Sequence, residues 1–317
     1  MKLLIGANSV SKPQYAAIHE KAKEVFDEIV LNPFGRTLTS EEVMERWEGV
    51  DAILAGTEKY TKEMLQNAPA SLKVISRHGV GLESVDLATA REQGITVCNT
   101  PGANADAVAE AAMGLILSVL RKIPLSDHYV RSNNWKRSEG RLIKGQTVGV
   151  IGMGNIGKGV IRRCQGFGAK FMAYDPYFDE TFATEYGVAP AGIEDVLKNA
   201  DIVTLHLPST PETYHIINAE TLAMMKPGAV LINTARGELV DEAALYEALK
   251  SGHLGGAGLD VYSSEPIYNS PLFELDNIVV TPHMAGNTSD TTMNMGMWAL
   301  DNAIKVATGQ EGAVIVK

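Results

Sequence analysis

Short apolar runs rich in strand-forming residues recur through the first third of the chain, at residues 2–5, 25–31, 51–55, 72–76 and 95–98. Stretches with helical spacing separate them. The alternation predicts a parallel sheet covered on both faces, because each crossover helix has to bury its apolar stripe against the strands. Residues 1–100 therefore read as one α/β unit. Thr100, Pro101 and Gly102 punctuate the chain, and residues 104–121 then predict one long helix, uncharged from Ala111 to Leu120. A helix apolar nearly all round is a buried one, expected here between domains or in a subunit interface. A second β-α series begins at Thr147, with strand candidates at residues 147–151, 169–174, 201–207, 229–233, 256–261 and 277–282. The tail, residues 287–308, sets Met293, Met297, Leu300, Ile304 and Ala307 on one helical stripe, the spacing of a packing face.

A length of 317 residues predicts two domains, and 45% hydrophobic with 21% charged residues is an ordinary globular composition. Lys and Arg number 28 against 38 Asp and Glu, and the resulting charge of −10 argues against a nucleic-acid partner. Seven basic residues against two acidic ones between Arg121 and Lys144 read as solvated surface, with Trp135 among them. The two cysteines, Cys98 and Cys164, form no metal or redox motif and predict reduced thiols. No apolar run has the length of a signal-peptide core or a membrane span, so a cytoplasmic protein without membrane or metal partners is expected.

The most specific local signal follows the run at 147–151: Gly152, Met153, Gly154, Asn155, Ile156 and Gly157, and then a helical stretch. This is a Gly-x-Gly-x-x-Gly turn between strand and helix. The first glycine makes the turn, the second admits a pyrophosphate against the backbone, and the third lets helix and strand pack closely. The next strand ends in Asp175, 18 residues beyond Gly157, where a carboxylate can hold both hydroxyls of an adenosine ribose. Its charge would repel a 2′-phosphate, which predicts NAD rather than NADP.

Three later strand ends carry polar groups: Thr234, Ala235 and Arg236; Asp260 and Glu265; and His283. Open parallel sheets place their ligand crevice at such ends. In the motifs VGVIGMGNIG, LINTARGELVDEAAL, GAGLDVYSSEP and TPHMAG, in that order, the chain resembles the D-isomer-specific 2-hydroxyacid dehydrogenase family over most of its length. The resemblance implies two Rossmann-like, doubly wound parallel-sheet α/β domains with an interdomain cleft. Residues 1–99 and 286–317 would form a flavodoxin-like substrate domain, and 100–285 the NAD domain.

It further implies a catalytic trio. Arg236 would hold the substrate carboxylate in a planar fork and polarise the reacting oxygen. His283 would exchange the hydroxyl proton, and Glu265 would fix its tautomer and support the imidazolium. Their blander readings are a surface ion-pair arginine and a structural histidine. NAD contacts carry over to Gly152, Gly154, Asn155, Ile156, Gly157 and Asp175, to Leu207 and Pro208 near the adenine, to Thr234 and Ala235, to Arg236 and His283, and to Asp260 on the carboxamide. His206, at a strand end, reads as structural.

On the substrate side, Arg77, Gly79, Val80 and Gly81 match the family's carboxylate loop, where backbone N–H groups can converge on an anion. A glycine-rich turn without ligand is the alternative there, and His78 reads equally as a packing residue. The segments RHGVGLESVDL, NTPGAN and LKSGHLGGAGLDV are closest to the phosphoglycerate dehydrogenase branch, which puts 3-phosphoglycerate first among small anionic 2-hydroxy/2-oxo acids. LAGTEKYT lacks the basic residue such enzymes commonly carry, so a hydroxypyruvate or glyoxylate reductase is the alternative. An NADH-sensing corepressor-like binding protein is the alternative of another class. The resemblance also implies a homodimer, joined through the 104–121 helix and the arm after it.

Overall fold

The computed structural model describes residues 1–316. The chain divides into two compact units, residues 1–104 together with the chain from Asn287 onward, and residues 105–286.

In the first unit, the described residues form five parallel strands: β1 (Lys2–Ile5), β2 (Glu28–Leu31), β3 (Ala52–Ala55), β4 (Val74–Arg77) and β5 (Thr96–Cys98), in the order β2-β1-β3-β4-β5. Successive side chains go to opposite faces, so Leu3, Ile5 and Leu54 join one core layer while Leu4 and Ile53 join the other. The helix Ser289–Thr308 closes the first layer with Ala299, Leu300, Ala303 and Ala307; Met293, Met297 and Ile304 pack beside them, as their spacing predicts. Gly296 lets this helix approach, since a Cβ there would lie 2.4 Å from Ile18.

In the second unit, the described residues form seven parallel strands: β6 (Thr147–Ile151), β7 (Lys170–Tyr174), β8 (Val188–Pro190), β9 (Ile202–Leu205), β10 (Val230–Asn233), β11 (Gly256–Leu259) and β12 (Ile278–Val280). Their order is β12-β11-β10-β9-β6-β7-β8. Each unit is a doubly wound α/β sheet. The sequence pattern misses β8, a three-residue edge strand ending in proline, which an edge tolerates because its N–H side need not pair.

The helix Ala105–Arg121 corrects an expectation. Its burial does not come from between the units: Ala109, Ala112, Met113, Leu115, Ile116 and Leu120 are built into the core of the second unit itself. The reason lies in β11. A Cβ on Gly256 would lie 2.6 Å from Val119, and one on Gly258 would lie 3.0 Å from Leu115, so the glycines of this strand make the helix's bed. The arm after it differs, because its helix Ile123–Arg131 buries no residue. Among the described residues no helix is long and apolar enough to cross a membrane.

Candidate active site

The glycine turn sits between β6 and the helix Asn155–Gln165. Gly152 has φ +99°, and a Cβ on it would lie 2.6 Å from the His206 carbonyl. A Cβ on Gly157 would lie 2.1 Å from the Gly152 carbonyl, so this position admits only glycine. Gly154 is the opposite case, with open space where its Cβ would be. It also starts the helix without a side-chain cap, leaving the first-turn N–H groups of Asn155 and Ile156 and the dipole's positive end to an outside anion. Asp175 is aimed at the turn from the end of β7: Oδ2 accepts from the Met153 N–H at 2.6 Å and Oδ1 from the Tyr177 N–H at 2.7 Å.

Strands β10, β11 and β12 are neighbours, so the loops that follow them adjoin at one rim of the sheet. Asn233 shapes the first loop, its Oδ1 accepting from Ala235 N–H and its Nδ2 donating to the Arg236 carbonyl. Arg236 donates from Nη1 to the Ala235 carbonyl. Gly237, next in line, packs so closely on the second loop that a Cβ would lie 1.8 Å from the Tyr262 carbonyl carbon. Glu265 belongs to that second loop, with Oε1 accepting from the Tyr262 N–H at 3.0 Å. From Oε2 it meets His283 Nδ1 at 2.6 Å, joining residues 18 positions apart. Arg236, Glu265 and His283 therefore stand on three adjoining strand ends.

His283 is held in left-handed backbone, φ +50°, with its N–H on the Asp260 carbonyl. The Asp260 side chain clamps the same turn: Oδ1 accepts from the Thr281 hydroxyl and the Met284 N–H, and Oδ2 from the Ala285 N–H. The visible work of this buried carboxylate is thus to set His283, beyond the carboxamide contact that the family resemblance implies. Glu265 fixes which ring nitrogen is engaged. With Nδ1 on the carboxylate, Nε2 of the half-exposed ring has no partner among the described residues.

Two buried polar atoms on the neighbouring strand ends also lack partners, Thr234 Oγ1 and His206 Nδ1. His206 was read as structural, and its Nε2 does meet Thr204 Oγ1 at 2.9 Å. Burial pushes its pKa down to about 3, so the ring is neutral. Leu207 is buried in the core layer beneath the rim, and Pro208 is exposed. Uncapped N–H groups, an open Gly154 and orphaned polar atoms along one rim are the features a dinucleotide would satisfy, and the donor set fits NAD.

In the first unit, the 79–81 loop follows β4. All three of its carbonyls are tied down: Gly79 by the Thr100 N–H and hydroxyl, Val80 by Asn99 Nδ2, and Gly81 by Arg77 Nε. The N–H groups of Gly79, Val80 and Gly81 find no acceptor among the described residues. Arg77 is 6% exposed and donates from Nη1 to the Ala55 carbonyl as well, which makes it a strut beneath the loop. His78 bridges Ser9 Oγ and the Thr292 carbonyl, and burial lowers its pKa.

Residues 113–285 match the model of the D-isomer specific 2-hydroxyacid dehydrogenase NAD binding domain. The chain is 41% identical over 278 residues to glyoxylate reductase of Thermococcus litoralis, covering 84% of each. It is 40% identical over 298 residues to D-3-phosphoglycerate dehydrogenase of Methanocaldococcus jannaschii, covering 92% of this chain and 56% of that one. The chain thus spans about half the length of that relative. Among solved structures, a glyoxylate reductase from Paecilomyes thermophila aligns with a TM-score of 0.87 at 29% identity, over 100% of this chain and 98% of its own. The matched domain makes NAD the cofactor. Covered over more than half its length by the family model, the chain belongs to the D-isomer specific 2-hydroxyacid dehydrogenase family.

Proposed function

We propose that this protein is an NAD-dependent oxidoreductase acting reversibly between a small anionic 2-hydroxy acid and the corresponding 2-oxo acid. The observation that carries the reading is the 2.6 Å contact of His283 Nδ1 with Glu265, on a rim shared with Arg236. Bound at the glycine turn and against Asp175, NADH supplies the hydride. His283 gives the carbonyl oxygen a proton from Nε2 in reduction and takes it back in oxidation. Glu265 keeps the ring oriented and offsets its charge. Arg236 supplies the guanidinium for the substrate's carboxylate and its reacting oxygen. On the first unit, the N–H groups of the 79–81 loop, with Arg77 holding its backbone, are suited to a carboxylate.

The relatives are named for two substrates, 3-phosphoglycerate and glyoxylate. Both belong to the proposed class, and the choice between them turns on the first unit's rim. A homodimer is part of the proposal. Ile123, Val130, Trp135 and Leu142 of the arm are 52%, 54%, 83% and 66% exposed, an apolar surface suited to a second copy. Sedimentation at micromolar concentration should give twice the chain mass, and a monomer would remove that part.

The test of the activity is NADH oxidation across glyoxylate, hydroxypyruvate, 3-phosphohydroxypyruvate, pyruvate and 2-oxoglutarate. Turnover of at least one is expected. A protein that binds NADH and oxidises it with none of them is not a dehydrogenase of this class.

A further inference from the structure

The loop after β3 carries a charge that the mechanism leaves unused. Glu58 is 1% exposed; its Oε1 accepts from the Gly56 N–H at 2.8 Å and from the Tyr60 hydroxyl at 2.9 Å. Oε2 is buried with no hydrogen-bond partner among the described residues. Two glycines make room for this carboxylate. A Cβ on Gly6 would lie 2.4 Å from Oε1, and one on Gly56 would lie 2.7 Å from Oε2. Gly6 follows β1 and Gly56 follows β3, the adjacent strands from which the sheet is wound outward in opposite directions. That switch point is where an open parallel sheet offers its ligand crevice. Here a carboxylate fills it.

Both arginines near the crevice are already engaged, while Lys59, beside Glu58, is exposed. Arg77 spends Nε and Nη1 on the Gly81 and Ala55 carbonyls, and the Glu58 charge acts on it from the neighbouring loop. Arg36, beyond β2, is forked onto Glu42, with Nη1 to Oε2 at 2.8 Å and Nη2 to Oε1 at 2.5 Å. His78 is buried, with its pKa lowered. Bonds to neutral carbonyls leave the Arg77 charge in place, but Glu58 acts on it and offsets it, so what the 79–81 loop offers an anion is a set of neutral N–H dipoles over a charge-balanced pair. Those suit one carboxylate. A phosphoryl group brings up to two further charges and calls for an arginine fork whose charge is not offset.

We propose that Glu58 is a specificity-determining residue, setting this rim for an unphosphorylated 2-oxo monocarboxylate and against a phosphorylated one. The inference rests on the dehydrogenase reading and names its substrate class. It reverses the order drawn from the sequence, where 3-phosphoglycerate came first, because the crevice residue is acidic and offsets the charge of the arginine beneath the loop.

The experiment compares hydroxypyruvate with 3-phosphohydroxypyruvate, which differ by the phosphoryl group, at saturating NADH. The wild-type protein should show kcat/KM at least about tenfold higher for hydroxypyruvate, carried mainly by KM. Glu58→Gln keeps the side chain's shape and an acceptor for the Gly56 N–H while removing the charge. It should shrink that ratio about tenfold, with NADH affinity and Tm close to wild type. A wild-type preference for 3-phosphohydroxypyruvate, or a folded Glu58→Gln protein with an unchanged ratio, overturns the proposal. Should the variant not fold, competitive inhibition of the wild type decides. D-glycerate should bind at least about tenfold more tightly than 3-phosphoglycerate, and the reverse order refutes the assignment. Failure to turn over any oxo acid, with NADH bound, defeats the dehydrogenase reading itself and this inference with it.

Discussion

The carboxyl-end rims of the two sheets are built alike and use their charges differently. Each has glycine turns, an acidic residue on one loop and a basic one on the next. On the second unit's rim, His283 and Glu265 have side chains 56% and 33% exposed, and the imidazole keeps one nitrogen uncommitted. On the first unit's rim, Glu58 and Arg77 are buried, and the guanidinium is committed to two carbonyls of its own chain. Exposure decides what a charge acts on. A half-exposed pair can exchange protons with a ligand, whereas a buried pair shapes backbone and offsets its own charges.

The widest break in that contrast should come from His283→Ala. Removing a general acid-base group costs about 10²–10⁴-fold in kcat. An exposed ion pair contributes at most about 1 kcal/mol, so Tm should barely move, and NADH affinity should hold. Steady-state kinetics with a thermal melt check both. Near-full turnover at neutral pH would mean that the exposed rim does no acid-base work.

The contrast also shows where the sequence is transparent. Residues 147–157 state their structure outright, since an apolar strand, three glycines and a helix allow few conformations. The trio was legible only through motifs, because Arg236, Glu265 and His283 meet by the adjacency of β10, β11 and β12, which no local spacing encodes. The same holds for the tail helix: its stripe predicts packing, but not that its partner is a sheet 200 residues earlier. Glu58 was invisible. Nothing in Gly-Thr-Glu-Lys-Tyr-Thr marks it out, and its burial depends on the missing Cβ atoms of Gly6 and Gly56. The 105–121 helix shows its apolar face in the sequence, whereas the glycine bed on β11 that receives it is a matter of the fold.

A second histidine on the catalytic rim sharpens the rule without leaving the unit. His206 is part-buried, with its Nδ1 shut off from solvent, and its pKa is about 3, against an ordinary value near 6.5. The unfolded chain takes up a proton as pH falls through 6.5, which the folded ring refuses until about 3. The stability associated with the neutral ring is therefore complete above 6.5 and is lost progressively on acidification between those two values. At pH 5 the loss is about 2 kcal/mol. His206→Gln, with an amide still able to reach Thr204, should show a smaller fall in Tm between pH 7 and pH 5 than the wild type does. Parallel pH profiles would show that the ring has no such role.

Asp175 stands between the two extremes, and its effect should be the smallest. It is partly buried, serving the chain through the Met153 and Tyr177 N–H groups while retaining lone pairs for a ribose. Asp175→Ala should weaken NADH about tenfold, in keeping with the loss of charge-assisted hydrogen bonds. NADPH should suffer less, because the lost charge also repelled its 2′-phosphate, so the gap between the cofactors narrows. Asp175→Asn separates the two duties. Its amide oxygen can still accept from the Met153 N–H, so the glycine turn and Tm should survive while discrimination between NADH and NADPH falls. Equal discrimination in Asp175→Asn and wild type would place the selectivity elsewhere on the turn, and an unchanged NADH affinity in Asp175→Ala would make this carboxylate purely a backbone clamp, like Asp260.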